Sequence, residues 1–218
     1  MGSPPATLGE LVATRGTKVR LASGEPLFHE GDPSSSVFAC TYGRIKVFVT
    51  TPAARELLLG IKSPVQAFGE LSAIDGRPRS ASAVATEMSI VAQLPAEDFM
   101  DALRSAPELS VVVLRELSDQ LRRANARVAS RDALSITIRA GELLVELGAK
   151  FRRHAPASGD IELPITQDEL AGWIGATREA TARSLATFRR AGAISTGRHR
   201  IVLHGLDVLA DVMRNCGS

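Results

Sequence analysis

The stretch from Phe68 to Ala85 restricts the fold of this chain more than any other. It places a carboxylate, Glu70, and a guanidinium, Arg79, on either side of one short apolar turn, and the Ser80 hydroxyl and an alternating strand follow at once. Opposite charges between apolar walls are costly to bury unless they are paired or given polar ligand atoms. A ligand with one phosphate charge and one sugar hydroxyl meets both needs. Backbone N–H groups from Gly69 to Leu71 would complete an anion-binding turn, and a surface ion pair in a turn is the alternative interpretation.

The region around this stretch is patterned as short strands separated by turns. Turns that contain glycine recur between about Val19 and Leu94, at intervals suited to a small β-roll or barrel. The chain is 44% hydrophobic and 23% charged, as is typical of a folded globular protein, and it has no run of 18 apolar residues that predicts a membrane span. Cys40 and Cys216 lie far apart and outside any metal-binding spacing, which predicts a cytoplasmic protein with unreactive thiols and no bound metal.

The segments Phe68-Gly69-Glu70-Leu71 and Arg79-Ser80-Ala81 resemble the phosphate-binding cassette of cyclic-nucleotide-binding domains, in the form found in the bacterial cyclic-AMP receptor protein/FNR (CRP/FNR) family. The resemblance implies cyclic AMP as an allosteric effector, not as a catalytic cofactor. Family members often have glycines just upstream, where this chain has Lys-Ser-Pro-Val-Gln-Ala. Members that sense oxygen through an iron–sulfur cluster carry N-terminal cysteines, which are absent here. The ligand contacts that the resemblance assigns are Gly69, Glu70, Leu71, Arg79, Ser80 and Asn125.

A long helix is predicted to begin at Pro107. Alternating spacings of three and four residues place one apolar seam on one of its faces: Leu114, Leu117, Leu121, Ala124 and Val128. We expect the seam to pair with a second copy in a symmetric homodimer, and packing on the chain's own β-roll is the alternative. In the family, residues of this helix reach over the nucleotide base, and Ala124 and Asn125 match that position. Asn125 can pair with a purine edge, but Ala124 lacks the hydroxyl that is common there, so the choice between cyclic AMP and cyclic GMP stays open.

Two capped helices joined by a glycine turn are predicted in the C-terminal part. Thr166 and Glu169 predict a capping box, Gly175 ends the first helix, and Thr177 caps a second helix that runs to about Ala191. This order is that of a helix-turn-helix. After Gly192, two short strands around a basic tip are typical of the wing of a winged helix-turn-helix.

Charged residues cluster at the start of the second helix of this pair. Arg178, Glu179 and Arg183 can project together, where Arg suits guanine and Glu accepts from cytosine. A solvated face with an i,i+4 ion pair is the other interpretation. The Arg-Glu-x-x-x-Arg pattern is similar to that of family members that read GTGA-type half-sites, and arginines of the wing would contact phosphates. The full set expected at DNA is Thr166, Gln167, Thr177, Arg178, Glu179, Arg183, Arg198 and Arg200.

These patterns together predict an α+β chain with three parts. They are a cyclic-nucleotide-binding β-roll over residues 1–106, a dimerisation helix and hinge over 107–135, and a winged helix-turn-helix over 136–218. The last part holds 11 Lys+Arg against 9 Asp+Glu, which is consistent with DNA binding. We therefore expect a homodimeric transcription regulator that binds double-stranded DNA at a palindromic operator under the control of a cyclic nucleotide. The resemblance implies that the ligand re-orders the chain near residues 133–138, and it adds RNA polymerase as a further partner.

Other functions fit parts of the sequence. A regulator of the same fold could bind DNA without ligand or with a different effector, and Ala124 favours this alternative. A regulatory subunit of an enzyme or channel would use its C-terminal part to dock a protein, and the helix-turn-helix pattern argues against it. An enzyme is not expected, because no HExxH, GxSxG or P-loop motif occurs.

Overall fold

The computed structural model describes residues 7–51, 56–133, 135–152 and 159–216. It divides into two compact units with a boundary between Arg122 and Arg123. Residue 134, inside the predicted hinge, lies outside the described residues. The first unit is built on antiparallel sheets with helices against them, and the second is helical with a small sheet, so the predicted α+β fold class is confirmed.

Apart from the helices α1 and α2, the first unit follows the predicted order of short strands and then helices. Its elements are α1 (Leu8–Arg15), β1 (Thr17–Leu21), β2 (Pro26–Phe28), β3 (Ser36–Tyr42), β4 (Ile45–Thr50), β5 (Glu56–Lys62), β6 (Ala67–Phe68), α2 (Glu70–Asp75), β7 (Ser82–Ala85), β8 (Ser89–Pro95), α3 (Ala96–Ser105) and α4 (Pro107–Ala133), which continues past the boundary. Within the described residues, the strands form two antiparallel sheets with the orders β1-β8-β3-β6 and β2-β7-β4-β5. The apolar strand runs seen in the sequence correspond to β3, β4, β5 and β8.

Two apolar clusters hold this unit together. The first lies between the sheets and takes residues from both of them: Leu21, Phe38, Cys40, Ile45, Phe68, Ala83, Ala85 and Val91. The second joins α1, α3 and α4 to the sheet that contains β3 and β8, and includes Leu11, Val12, Val37, Leu94, Phe99, Leu109 and Val113. Each buried side chain of this size contributes about 1.5–3 kcal/mol of transfer free energy. The helices are therefore fixed to the roll through ordinary core packing.

The first helix was not predicted from the sequence. Thr7 caps it by accepting a hydrogen bond from the Glu10 backbone N–H. The carboxylate of Glu116, on α4, accepts from the Leu8 N–H at 3.0 Å, so the long helix supplies part of the cap. Because the first N–H groups of a helix have no partner within it, such a bond favours α1 in this position.

The predicted seam on α4 is divided between two surroundings. Leu117 is partly buried against the core of its own unit, next to Leu109 and Val113. Leu114 and Leu121 are both 62% exposed, and Val128 is 64% exposed. Leu117 therefore packs partly on the roll, while Leu114, Leu121 and Val128 stay exposed, and the pairing of the seam with a second copy stays a prediction.

The second unit contains the predicted pair of capped helices and a hairpin. Its further elements are α5 (Ile136–Phe151), β9 (Ile161–Leu163), α6 (Gln167–Ile174), α7 (Arg178–Arg190), β10 (Ile194–Gly197), β11 (Arg200–Leu203) and α8 (Leu206–Cys216). The strands pair antiparallel in the order β10-β11-β9. Leu144, Leu170, Leu185 and Phe188 are fully buried and bring α5, α6 and α7 onto one core. Among the described residues, no helix is long and apolar enough to cross a membrane.

Candidate functional sites

The turn between β6 and α2 carries the charged pair predicted from the sequence. Gly69 precedes α2 in the left-handed conformation, with φ 77°, which favours glycine. Glu70 is 4% exposed and Arg79 is 5% exposed, so both charged side chains are almost wholly buried. A Cβ on Gly69 would lie 2.7 Å from Nη1 of Arg79, so a larger residue would also have to displace the guanidinium. The chain thus buries a carboxylate and a guanidinium in the roll, among residues that are largely apolar.

Arg79 is held by protein groups on several sides. Its Nη1 donates to the carbonyl of Gly69 at 3.0 Å and its Nη2 to the carbonyl of Ser36 at 2.7 Å. The guanidinium carbon lies 4.4 Å from the ring centroid of Phe28 and 5.3 Å from that of Phe38, within cation–π range. Burial lowers the pKa of Arg79, and the charges of Asp32 and Glu70 act against that effect. Its Nε is buried without a hydrogen-bond partner among the described residues.

Glu70 is bonded to the long helix. Oε1 of Glu70 accepts a hydrogen bond from Nε2 of Gln120 at 3.3 Å. Glu70 and Arg79 are both in the described part of the chain, and no ion pair within 4.0 Å joins them. Sequence reasoning did not assign Gln120 to this site. The sequence held one signal for this role: Gln120 lies one helical turn before Ala124, on the helix face expected to approach the ligand.

The other predicted ligand contacts are near the surface. Ser80 is exposed directly after Arg79, and Leu71 is 43% exposed on α2. Asn125 is exposed on α4. The cassette is also tied to the turn before β3, since the Gly31 N–H donates to the Arg79 carbonyl at 2.9 Å and the Arg79 N–H donates to the Asp32 carbonyl at 2.9 Å. The cassette backbone is therefore fixed at Arg79, while Ser80 next to it is exposed.

The segment before the cassette contains a strained turn. Val65 has φ 69°, a left-handed conformation that is unusual for a β-branched residue. The Gln66 N–H donates to the Ser63 carbonyl at 3.1 Å, which closes a turn with Pro64 and Val65 at its centre. Such a turn favours glycine at the Val65 position. This chain therefore has a valine at a turn position that favours glycine, at a cost in backbone strain.

The helix pair of the second unit has the predicted caps. The Thr166 hydroxyl accepts from the Glu169 N–H, and Glu169 accepts from the Thr166 N–H at 2.7 Å, so the capping box is confirmed. Gly175 ends α6 with φ 65°, and Thr177 caps α7 by accepting from the Ala180 N–H. The Thr166 hydroxyl also donates to Glu169 at 2.9 Å, which commits both of its hydrogen-bonding roles within the cap. A contact between Thr166 and DNA would therefore have to use other groups of this residue as well as its hydroxyl.

The charged residues at the start of α7 are accessible. Arg178, Glu179 and Arg183 are all exposed, whereas Leu185 and Phe188 on the same helix are fully buried. Nε of Arg178 lies 3.4 Å from the Asp168 carboxylate, in an exposed ion pair that water weakens. The pKa of Glu179 lies below its ordinary value, first because its carboxylate accepts from its own backbone N–H. Some loss of hydration opposes this effect, and the Thr177 hydroxyl, Arg178 and Arg183 reinforce it. Glu179 is therefore an ionised acceptor at neutral pH.

The predicted wing is the hairpin of β10 and β11. Gly197 pairs with Arg200, so Arg198 and His199 form a two-residue tip, with His199 at φ 60°. Nη1 of Arg189, on α7, donates to the Thr196 hydroxyl at 3.0 Å and links the helix to the hairpin. Arg198 is exposed, and Nη1 of Arg200 lies 3.5 Å from the Glu162 carboxylate. The tip thus presents basic side chains beside α7. Among the described residues, no group of three or more His, Cys, Asp or Glu side chains could hold a metal ion.

Comparisons with known proteins match both units of the chain. Residues 18–106 match the family model of the cyclic nucleotide-binding domain, and residues 139–212 match that of the Crp-like helix-turn-helix domain. A "CRP-like cAMP-activated global transcriptional regulator" of Mycobacterium tuberculosis is 32% identical over 192 residues, covering 86% of this chain and 84% of that protein. "Transcriptional activator protein anr" of Pseudomonas aeruginosa is 29% identical, covering 87% and 78%. The solved structure of a CRP/FNR-family transcriptional regulator from Thermus thermophilus has a TM-score of 0.73 at 25% identity, covering 91% of this chain and 98% of that one.

The two units define a DNA-binding transcription regulator that carries a cyclic nucleotide-binding domain. The chain belongs to the CRP/FNR family. Because this family is one of transcription regulators, the expectation that the chain is not an enzyme is confirmed.

Proposed function

We propose that the chain is a homodimeric transcription regulator which cyclic AMP controls allosterically and which reads a palindromic operator with GTGA-type half-sites. The observation that carries the proposal is the burial of Glu70 and Arg79, at 4% and 5% exposure, on either side of one turn. A buried carboxylate and guanidinium that form no ion pair with each other match a ligand with one hydroxyl donor and one anionic group. The similarity to a relative named as cAMP-activated supports the choice of nucleotide.

The chain's own groups suit each part of such a ligand. The guanidinium of Arg79 would exchange carbonyl acceptors for phosphate oxygens, which form stronger, charge-assisted hydrogen bonds. The exposed Ser80 hydroxyl and the backbone N–H groups from Gly69 to Leu71 would donate to the same phosphate. Glu70 would accept from the ribose 2′-hydroxyl. The assignment of Asn125 to the base rests on the family resemblance.

Dimerisation through α4 is supported by its uncovered apolar side chains. Leu114, Leu121 and Val128 are seven residues apart in turn and each is more than 60% exposed, which is the repeat of a two-helix seam. We expect Leu121→Glu to give a monomer in sedimentation experiments. Arg122→Glu is the matched control, because this neighbouring side chain is 80% exposed and lies off the seam. A dimeric Leu121→Glu variant would contradict the proposed interface.

DNA readout is assigned to α7 and the wing. Arg178, Glu179 and Arg183 would contact base edges, with Thr177 and Gln167 at the neighbouring backbone. Arg198 and Arg200 would contact phosphates, which adds affinity without sequence preference. In a symmetric dimer the two recognition helices would lie about 34 Å apart, one turn of DNA. Ligand and operator must then strengthen each other's binding by the same factor.

The deciding experiment is calorimetric titration of the purified chain with cyclic AMP and cyclic GMP, paired with fluorescence anisotropy on a GTGA-type palindrome. We expect binding of cyclic AMP that weakens about tenfold or more in Glu70→Gln, the usual loss for a hydrogen bond to a charged group. Glu97→Gln is the matched control, because Glu97 is exposed at the start of α3. DNA affinity should rise when cyclic AMP is added.

A second function is favoured by one observation. Both Nη groups of Arg79 already donate to backbone carbonyls, at 3.0 and 2.7 Å, so two of the three nitrogens of the guanidinium have acceptors without a phosphate. A regulator of this fold that binds DNA without ligand, or with a different effector, fits that arrangement. It is the conclusion to adopt if neither nucleotide gives heat and the palindrome is bound equally well in their absence.

A further inference from the structure

One ion pair joins the two helices of the helix-turn-helix near their starts. Asp168 lies in the first turn of α6, and Arg178 is the first residue of α7. Nε of Arg178 lies 3.4 Å from Oδ1 of Asp168. Within the described part of the chain, no other carboxylate lies within 4.0 Å of this guanidinium. Asp168 is absent from the DNA-contact set predicted from the sequence, although it touches one of the residues in that set.

We infer that Asp168 positions Arg178 for guanine, so that discrimination at a guanine of the half-site depends on Asp168. This inference rests on the proposed DNA readout by α7. It adds to that readout a specificity-determining residue that itself contacts no base. Both residues belong to the same unit of the chain.

The two side chains are carried by helices whose starts are fixed. A capping box at Thr166 begins α6, and the Thr177 hydroxyl caps α7. Leu170 of α6 and Leu185 of α7 are both fully buried in the core of this unit. Groups on packed helices are held more precisely than groups on loops. The carboxylate is therefore a fixed anchor, and the longer arginine side chain is the part that gains order from the pair.

The chemistry of the guanidinium allows both partners at once. Asp168 takes Nε of Arg178, which leaves Nη1 and Nη2 for the O6 and N7 acceptors of one guanine. The Arg178 side chain is 70% exposed, so a base can reach it while the pair stays in place. An arginine that is already ordered loses less conformational entropy when it meets the base, which strengthens the contact.

The same carboxylate should have a second, opposite effect on DNA binding. An exposed ion pair contributes little in water, but DNA bound against α7 excludes water and strengthens the attraction. The negative charge of Asp168 also repels phosphates, whatever the base sequence. Asp168 is therefore expected to raise the preference for guanine and to lower the affinity for all DNA. A purely structural role would not produce this combination.

The test measures fluorescence anisotropy of DNA duplexes with the full chain and cyclic AMP in excess. The duplexes are a GTGA-type palindrome, two copies in which one or the other guanine of each half-site is 7-deazaguanine, and an unrelated sequence. 7-Deazaguanine keeps base pairing and lacks the N7 acceptor. Asp168→Asn keeps the size of the side chain and removes its charge. Glu142→Gln is the matched control, because Glu142 is exposed on α5, which carries none of the proposed DNA contacts. Circular dichroism checks that each variant keeps the fold.

We expect the unchanged chain to prefer guanine over 7-deazaguanine by about fivefold or more at the position that Arg178 reads. Arg178→Ala identifies this position, because it removes the preference there. Asp168→Asn should reduce the same preference by about threefold, while the unrelated duplex is bound at least as tightly. In the Arg178→Ala background, Asp168→Asn should not change the preference further. Glu142→Gln should keep the full preference.

The remaining outcomes separate this inference from the proposed function. A preference that survives in Asp168→Asn overturns the inference and leaves the proposed function intact, even if all duplexes are bound more tightly. Equal loss of affinity for every duplex means a structural role and also overturns it. If Arg178→Ala changes the preference at neither guanine, the proposed readout by Arg178 and this inference fail together.

Discussion

The helix α1 packs so closely on the turn before the cassette that position 9 tolerates only glycine. A Cβ built on Gly9 would lie 1.9 Å from the carbonyl oxygen of Val65 and 2.5 Å from its carbon, where ordinary contact is 3.4 Å or more. Both partners are backbone, so no side-chain rotation relieves the clash. For Gly9→Ala, the helix and the turn must move apart by about 1.5 Å, the difference between 3.4 and 1.9 Å.

The size of the effect follows from what that separation disrupts. Leu8, Leu11 and Val12 of α1 are 3%, 2% and 0% exposed, and a gap of this size forfeits much of their dispersion contact with the sheet. Overpacking of a core costs about 1–3 kcal/mol or more, and the higher helix propensity of alanine returns less than about 1 kcal/mol. We therefore expect Gly9→Ala to lower the free energy of unfolding by about 1–3 kcal/mol.

Urea titration followed by far-ultraviolet circular dichroism measures this loss. Gly60→Ala is the control, because a Cβ on Gly60, in β5, meets nothing within 4 Å. We expect the control to stay within about 0.5 kcal/mol of the unchanged chain. A Gly9→Ala variant as stable as Gly60→Ala would refute the close packing of α1 on the turn that leads into the cassette.

Three further predictions concern the turn, the buried thiol and the DNA contacts. Val65→Gly should raise the free energy of unfolding by about 1 kcal/mol, seen as a higher thermal midpoint, because a half-exposed β-branched residue leaves the left-handed conformation. Burial raises the pKa of the Cys40 thiol from 9.0 to about 12, so the unfolded chain releases this proton first and stability falls as pH rises above 9. In a Cys216→Ser background, native Cys40 should resist iodoacetamide at pH 8.5 and react once urea unfolds the chain; ready labelling of the folded protein would contradict its burial. Arg178→Ala should cost about 1–3 kcal/mol of DNA affinity and relax sequence preference, whereas Arg198→Ala should weaken all sequences alike and reduce the salt slope by about one, both measured by anisotropy across salt concentrations.

Local signals explain why so much of the second unit could be predicted. The capping box of Thr166 and Glu169, the left-handed Gly175 and the cap at Thr177 each depend on residues within one helical turn, and all are present. Glycine and capping hydroxyls act on the backbone directly, so their positions in the sequence fix where helices begin and end.

Features that depend on distant residues could not be predicted in the same way. The helix α1 has a local start signal in Thr7 and Glu10 that was missed, but its position depends on its contact with β3 and on the Glu116 carboxylate of α4. The separation of Leu117 from Leu114 and Leu121 depends on which side of α4 meets the roll, which a repeat of spacings does not contain. The bond from Gln120 to Glu70 joins positions 50 residues apart. In each case tertiary packing determines the contact, and a single sequence shows only the local interactions.

The surroundings of Arg79 bear on how a loss-of-ligand variant should be made. Its guanidinium joins the Gly69 and Ser36 carbonyls and contacts the rings of Phe28 and Phe38, so it cross-links two strands of the roll, β2 and β3, with the cassette. Substitution by leucine would delete that cross-link together with any phosphate contact, and a failed titration would then report folding as much as recognition. By the same reasoning, an arginine at position 79 would stabilise the roll even in a protein that binds no ligand. The carboxylate of Glu70, which makes no comparable set of bonds, is the residue whose presence distinguishes a chain built to recognise a sugar hydroxyl.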